Sequence, residues 1–197
     1  MTLSVGPVTL DGDHVRLAPL SMDHLGALQE ATEDGELHRL WYTMVPPPEG
    51  MAAEITRRLG LLAAGSMVPF TVMTPDGHPV GMTTYMNIDR PNRRVEIGST
   101  WYRASVQRSP LNTEAKRLLL GHAFEALGCH AVEFRTHRLN IQSRRAIERL
   151  GAQLDGVLRN HMVMANGTLR DTAVYSIIAG EWPAVRANLD HKLGRPA

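Results

Sequence analysis

Cysteine occurs once in this chain, at Cys129, so no disulfide can form within it. A lone thiol fits a reducing compartment. Its place between helix and strand in LGCHAVEF favours a buried structural group over a nucleophile. Long apolar runs are also scarce, and even GLLAAGSMVPF is too short to cross a bilayer. The start, MTLSVGPVTLDGDH, lacks the basic stretch and apolar run of a secretion signal. The expectation is a soluble, cytoplasmic protein that does not engage a membrane. Excess charge is missing too: 21 Lys and Arg against 20 Asp and Glu leave no global attraction to nucleic acid. Any anion site must be local. The nine histidines show no metal-ligand spacing, so no metal is expected.

What is present is an ordinary core-forming composition, 43% hydrophobic, in a length of 197 residues that suits one domain. HVRLAPLS alternates as a strand and runs into SMDHLGALQEATED, a helix with Ser21 as N-cap and Asp23 in its first turn. LWYTMVPPPEG follows, its three prolines holding an extended loop with Trp41 and Tyr42 at its mouth. A second helix spans roughly Met51 to Ala64. MVPFTVMTPDGHPVGMTTYMNIDR reads as two strands joined at Asp76-Gly77, and VEIGSTWY (Val95 to Tyr102) as a third. After a loop, a helix is expected from about Asn112 to Leu127, with Gly128 as its C-cap. AVEFRTHR is a strand, NIQSRRAIERLG a short helix, and Asn166-Gly167 the turn of a second hairpin; EWPAVRANLDHKL closes the chain as a helix. The order predicts a single α+β domain over residues 1–197, built on a mixed sheet.

Two helix starts draw attention. The stretch VQRSPLNTEAK can present free N–H groups and a positive dipole end to an anion, with Ser109, Leu111, Asn112 and Thr113 as donors. Gln107 and Arg108 precede them, and Arg108 can add a charged contact to phosphate. Pro110 supplies no donor. An ordinary cap by Ser109 or Asn112, with Pro110 in the first turn, explains the same residues without a ligand. In the later helix Asn140 and Ser143 share a face, and Arg144, Arg145 and Arg149 form a basic side. A plain N-cap and a solvated face are the alternatives there.

Three stretches then carry a resemblance: VEIGSTWY, NTEAKRLLLGHAFEALG and VEFRTHRLNIQSRRAIERLGA, with RDTAVYSI near the end. Over almost the full chain they resemble the GNAT superfamily of acetyl-CoA-dependent N-acetyltransferases, and within it the RimJ/RimL branch that acetylates ribosomal-protein N-termini. The resemblance implies a mixed, mostly antiparallel sheet of about seven strands, flanked by helices, with splayed central strands. It places the superfamily's diphosphate loop on Gln107 to Asn112, with Pro110 and Asn112 where glycines are usual. It implies backbone pairing of the pantetheine arm around Thr100, Trp101 and Tyr102. It also implies Asn140 on the pantetheine, Ser143 near the thioester and Arg145 among the cofactor contacts. The tyrosine acid common in the superfamily falls on Ile147 and is missing.

Acetyl transfer to nitrogen needs a base, because a protonated amine cannot attack. Glu96 is the candidate, pointing opposite to Val95 and Ile97; a solvent-face glutamate is the competing reading. Ser143 is expected to orient the sulfur. Trp41, Tyr42 and Tyr85 are candidates to line the acceptor pocket, although aromatics in a small domain are often core. The expected reaction is direct transfer to a primary amine, either a protein or peptide N-terminus or a small molecule. One alternative is a GNAT-fold acyl-CoA sensor without catalysis. Another is a structural role in which the C-terminal helix pairs subunits into a homodimer.

Overall fold

The computed structural model describes residues 3–195. Eight strands form one sheet: β1 (Leu10–Asp11), β2 (Arg16–Pro19), β3 (Met67–Met73), β4 (Pro79–Asp89), β5 (Arg94–Tyr102), β6 (Ala131–His137), β7 (Gln153–Val163) and β8 (Leu169–Ile178). Their spatial order is β1-β2-β3-β4-β5-β6-β8-β7. Five α-helices flank it: α1 (Leu25–Glu33), α2 (Met51–Ala63), α3 (Pro110–Gly121), α4 (Ile141–Glu148) and α5 (Trp182–Lys192). The eighth strand is β1, whose two residues are too few to show an alternation. It exists because Leu10 and Asp11 pair with Leu17 and Arg16.

Both glycine turns form as the sequence suggests. Gly77 and Gly167 take φ of 89° and 80°, conformations that an L side chain resists. Ser21 caps the turn that leads into α1, accepting from the Asp23 amide. Helix α3 begins two residues earlier than expected because Ser109 is the N-cap and Pro110 takes the first helical position. It also ends sooner, as α-helix, at Gly121. The next turn, His122–Ala126, widens to a π-helix, and the Leu127 amide reaches back to the His122 carbonyl at 3.0 Å.

The sheet has one parallel pair, β5 with β6, and it holds for three positions only: Arg94–Ala131, Val95–Val132 and Glu96–Glu133. Each strand then stays with its antiparallel partner. β5 follows β4 as far as Tyr102–Gly81, and β6 follows β8 as far as His137–Thr172. A bulge sharpens the parting. Met82 faces Trp101 and Thr84 faces Gly98, so Ser99 and Thr100 together oppose Thr83. A bulge bends and twists its strand. The result is a gap between the C-terminal halves of β5 and β6, with α3 and α4 starting at its open end.

The two sheet faces bury different sets of residues. Leu28, Ala31, Met51 and Ile55 of α1 and α2 pack with Met82 and Trp101. Leu119, Leu120 and Ala123, with Trp182 and Leu189 of α5, pack with Tyr85, Val95, Ile97 and Phe134. The N-terminal segment is held to α3 by Glu114, which is fully buried. Its carboxylate accepts from the amides of Asp13 and His14 and pairs with Arg195.

Candidate active site

At the start of α3, the Ser109 hydroxyl donates to the Val106 carbonyl at 2.7 Å and accepts from the Leu111 amide at 3.3 Å. Pro110 at the first helical position costs no helical bond, since that amide has no partner within a helix. With Ser109 as N-cap, Leu111 and Asn112 keep amides outside the helical ladder. The Thr113 amide lies in register for the Ser109 carbonyl. The Thr113 hydroxyl accepts from Arg149 at 3.0 Å, which ties α3 to α4. Gln107 donates to the Tyr102 carbonyl at 3.0 Å, and Arg108 is exposed with a left-handed φ of 59°. Two buried polar atoms beside this loop lack partners among the described residues: the Tyr102 hydroxyl and Asn112 Oδ1. A cavity of about 290 Å³ lies against the same helix start, between Ser109 and Pro110 on one side and His14 and Thr74 on the other.

Across the gap, Asn140 caps α4, its Oδ1 accepting from the Ser143 amide at 3.0 Å. Beyond that bond, the Asn140 Nδ2 group and the Ser143 hydroxyl make no hydrogen bond to another described residue. The three arginines of the basic side separate. Arg144 donates to the Tyr175 hydroxyl at 2.8 Å, Arg149 is on Thr113, and Arg145 remains exposed. Ile147 packs into the core, where it offers no acid.

Glu96 is the last residue of β5 before the strands part, and it is 5% exposed. It is therefore not a solvent-face glutamate. Its side chain lies on the face shared by Met86 and Gly98. A Cβ at position 98 would come within 2.8 Å of Glu96 Oε1, so the glycine of VEIG keeps room above the carboxylate. Asn87 donates to Glu96 Oε2 at 2.7 Å, and Arg135 Nε stands 3.5 Å from the same oxygen. Arg135 is itself shared with Glu133, which also binds Arg94. Burial pushes the Glu96 carboxyl above its ordinary range, against the Asn87 hydrogen bond and the charges of Arg135 and Arg170.

Trp41, half exposed, meets Tyr42 and His137 edge-on at ring separations of 5.5 and 5.1 Å. His137 ends β6, its Nδ1 accepts from the Leu139 amide at 3.0 Å, and its buried Nε2 has no partner among the described residues. Tyr85 does not join this cluster. It is completely buried on the α3 side, and its hydroxyl donates to the Leu119 carbonyl at 2.6 Å. The expectation that it lines an acceptor pocket is corrected by that position. Cys129 is buried, which pushes its thiol up to about 11 and removes it as a nucleophile at neutral pH. Among the described residues no group of three or more His, Cys, Asp or Glu side chains is arranged to hold a metal.

Sequence reasoning passed over two buried cations. Arg58 of α2 and Lys116 of α3 are 2% and 7% exposed. Their spacing was a usable signal: Arg58 continues the buried stripe of Met51 and Ile55, and Lys116 precedes Leu119 and Leu120 by one turn. A charged residue on such a stripe calls for a partner inside the protein.

The sequence profile of the family described as "Acetyltransferase (GNAT) domain" matches residues 14–153. YdaF of Bacillus subtilis (strain 168), provisionally named a ribosomal N-acetyltransferase, is 34% identical over 107 residues, 54% of this chain and 57% of YdaF. The match thus spans little more than half of that relative. A GCN5-related N-acetyltransferase from Brucella melitensis has a crystal structure that superposes with a TM-score of 0.85 at 29% identity, covering 96% of this chain and 87% of that one. RimJ of Mycobacterium smegmatis, solved in complex with CoA-disulfide, gives 0.78 at 24% identity, over 97% of this chain and 94% of that one. At that identity the likeness is one of fold.

Proposed function

This chain belongs to the GNAT family of acetyltransferases, and on that premise we propose that it transfers the acetyl group of acetyl-CoA directly to a primary amine at a protein or peptide N-terminus. The observation that carries the reading is the position of Glu96: a buried carboxyl at the point where β5 and β6 separate. The residues around the gap fit a CoA thioester. The Asn112 amide at the start of α3 is free for a phosphate, and the orphaned Tyr102 hydroxyl and Asn112 Oδ1 are buried polar atoms that a ligand can satisfy. Gln107, Ser109, Leu111 and Thr113 shape that helix start. Arg108 and Arg145, both exposed, supply charge to phosphate from the two sides of the opening. Bound acetyl-CoA supplies an activated acyl carbon.

The protein's own groups do the rest. Past Glu96 the edge of β5 that faces β6 has no strand partner, so its backbone around Thr100, Trp101 and Tyr102 can pair with an extended ligand and meet a developing oxyanion. Glu96 takes the proton from the incoming amine. Its raised affinity for protons brings it closer to the amine it must deprotonate. Asn140 and Ser143 bind and orient from the α4 side. Trp41, Tyr42 and His137 form the acceptor wall. A protein acceptor is supported by the name of YdaF, provisionally a ribosomal N-acetyltransferase.

A panel of acceptors tests this. Thiol release with acetyl-CoA, and the mass gain of one acetyl group, are expected with free-N-terminus peptides. They are not expected with the same peptides blocked at the α-amine, even when a lysine is present. Release with small-molecule amines alone would overturn the acceptor assignment. CoA binding without release to any amine would support the sensor reading instead.

A further inference from the structure

Lys116 is a buried cation without an acidic partner. Its Nζ lies 2.9 Å from Thr100 Oγ1 and 3.5 Å from Thr83 Oγ1, and the two hydroxyls are 2.7 Å from each other. No carboxylate pairs with it among the described residues, and its solvation is lost to burial alone. Arg58 is buried against the same strand from α2. Its Nε donates to Glu54 at 2.6 Å, and both terminal nitrogens stand 3.4 Å from the Ser99 carbonyl.

Ser99 and Thr100 are the two bulge residues of β5, opposite Thr83. Ser99 has a left-handed φ of 47°, which a serine adopts only when its surroundings impose it. The bulge lies three residues past the last β5–β6 pair, so no strand pairing with β6 steadies it. What does steady it comes from above and below the sheet. α2 packs on the Met82–Trp101 face and α3 on the Tyr85 face, and each sends one cation to one of the two bulge residues. Core packing alone does not ask for this. A methionine at position 116 fills similar space without desolvating an amine, and removing a buried charge in that way is often neutral or stabilising.

We propose that Lys116 and Arg58 are positioning residues for acetyl transfer: clamping the Ser99–Thr100 bulge from opposite faces, they set the direction of the backbone groups that line the β5–β6 gap. The inference rests on that gap being the thioester site. Neither side chain touches the reacting atoms. Each acts through the strand, and an error of about 1 Å in such a backbone can cost about a hundredfold in rate.

The test compares the full-length parent with Lys116→Met, Thr100→Val and the double variant. It measures kcat with the best peptide acceptor, CoA affinity by calorimetry, and Tm across pH. Lys116→Met and Thr100→Val should each lower kcat about tenfold or more, with CoA affinity within about threefold. The double variant should be no slower than the slower single one, because both remove the same contact. Stability should move the other way. Burial lowers the Lys116 amine to about 7 from 10.5, so its charged form burdens the folded state below that value. The Lys116→Met protein should therefore melt above the parent at pH 6, by a margin that narrows as pH rises toward 10. A kcat within twofold of the parent in both single variants overturns the proposal, as does an additive double variant. If Lys116→Met does not fold, Thr100→Val decides by the same kcat criterion. A parent that binds no CoA defeats the underlying function; an active parent with unaffected variants defeats only the clamp.

Discussion

Replacing Glu96 by glutamine should lower kcat by about 100- to 1,000-fold, the range expected when a positioned general base is lost. Glutamine keeps the volume and can still accept from Asn87, so the strand and the gap stay as they are. CoA affinity should accordingly change by less than about threefold, since in the proposed mechanism the carboxylate meets the incoming amine. The pH profile adds a second reading. The base works only when deprotonated, and burial holds its proton to a higher pH than an ordinary glutamate. The kcat/KM of the parent should therefore rise with pH through that elevated value, and the glutamine variant should lose this rise. Equal losses in turnover and CoA affinity would make Glu96 a structural residue. No loss would remove it from the chemistry.

The second large effect is on stability. Glu114→Ala should cost about 3 kcal/mol, because it strips a fully buried acceptor from two backbone amides and leaves Arg195 without its deepest partner. For a chain of this size that corresponds to roughly 10 °C in Tm. Arg195 is about one-third exposed and can turn to water or to Asp13, so the larger share of the loss comes from the amides of Asp13 and His14. Calorimetric melting of the variant checks this. A shift below about 2 °C would show that the N-terminal segment is held by its packing instead.

These two glutamates differ in how visible they were. Glu96 stood out because its alternation with Val95 and Ile97 separates it from the core, and because acetyl transfer needs a base. Glu114 sits inside a helix whose sequence says nothing of residues a hundred positions earlier. The hairpins at Asp76-Gly77 and Asn166-Gly167 were readable, since their left-handed glycines are a local requirement. So was the cap Ser21, whereas the C-cap after the π-turn is Leu127, and Gly128, with φ of 65°, follows it. The gap between β5 and β6 was expected only through the family resemblance. Its cause is a competition between strand partners and a bulge at Ser99–Thr100, which no short window reveals.

Lys116 and Arg58 were missed for a related reason. A charge on a helix reads as solvent-facing until the hydroxyls or carbonyl that receive it are placed, and those lie on a different element. Tyr85 failed in the opposite sense. An aromatic in a strand suits a pocket wall and a core equally well, and its hydroxyl found the Leu119 carbonyl of α3.

The most direct measurement is a crystal structure with coenzyme A bound. The account predicts the diphosphate on the start of α3 beside Asn112, the pantetheine arm paired with β5 between Thr100 and Tyr102, and the thiol end close to the Glu96 side of the gap. A nucleotide seated elsewhere, with β5 and β6 closed against each other, would contradict it.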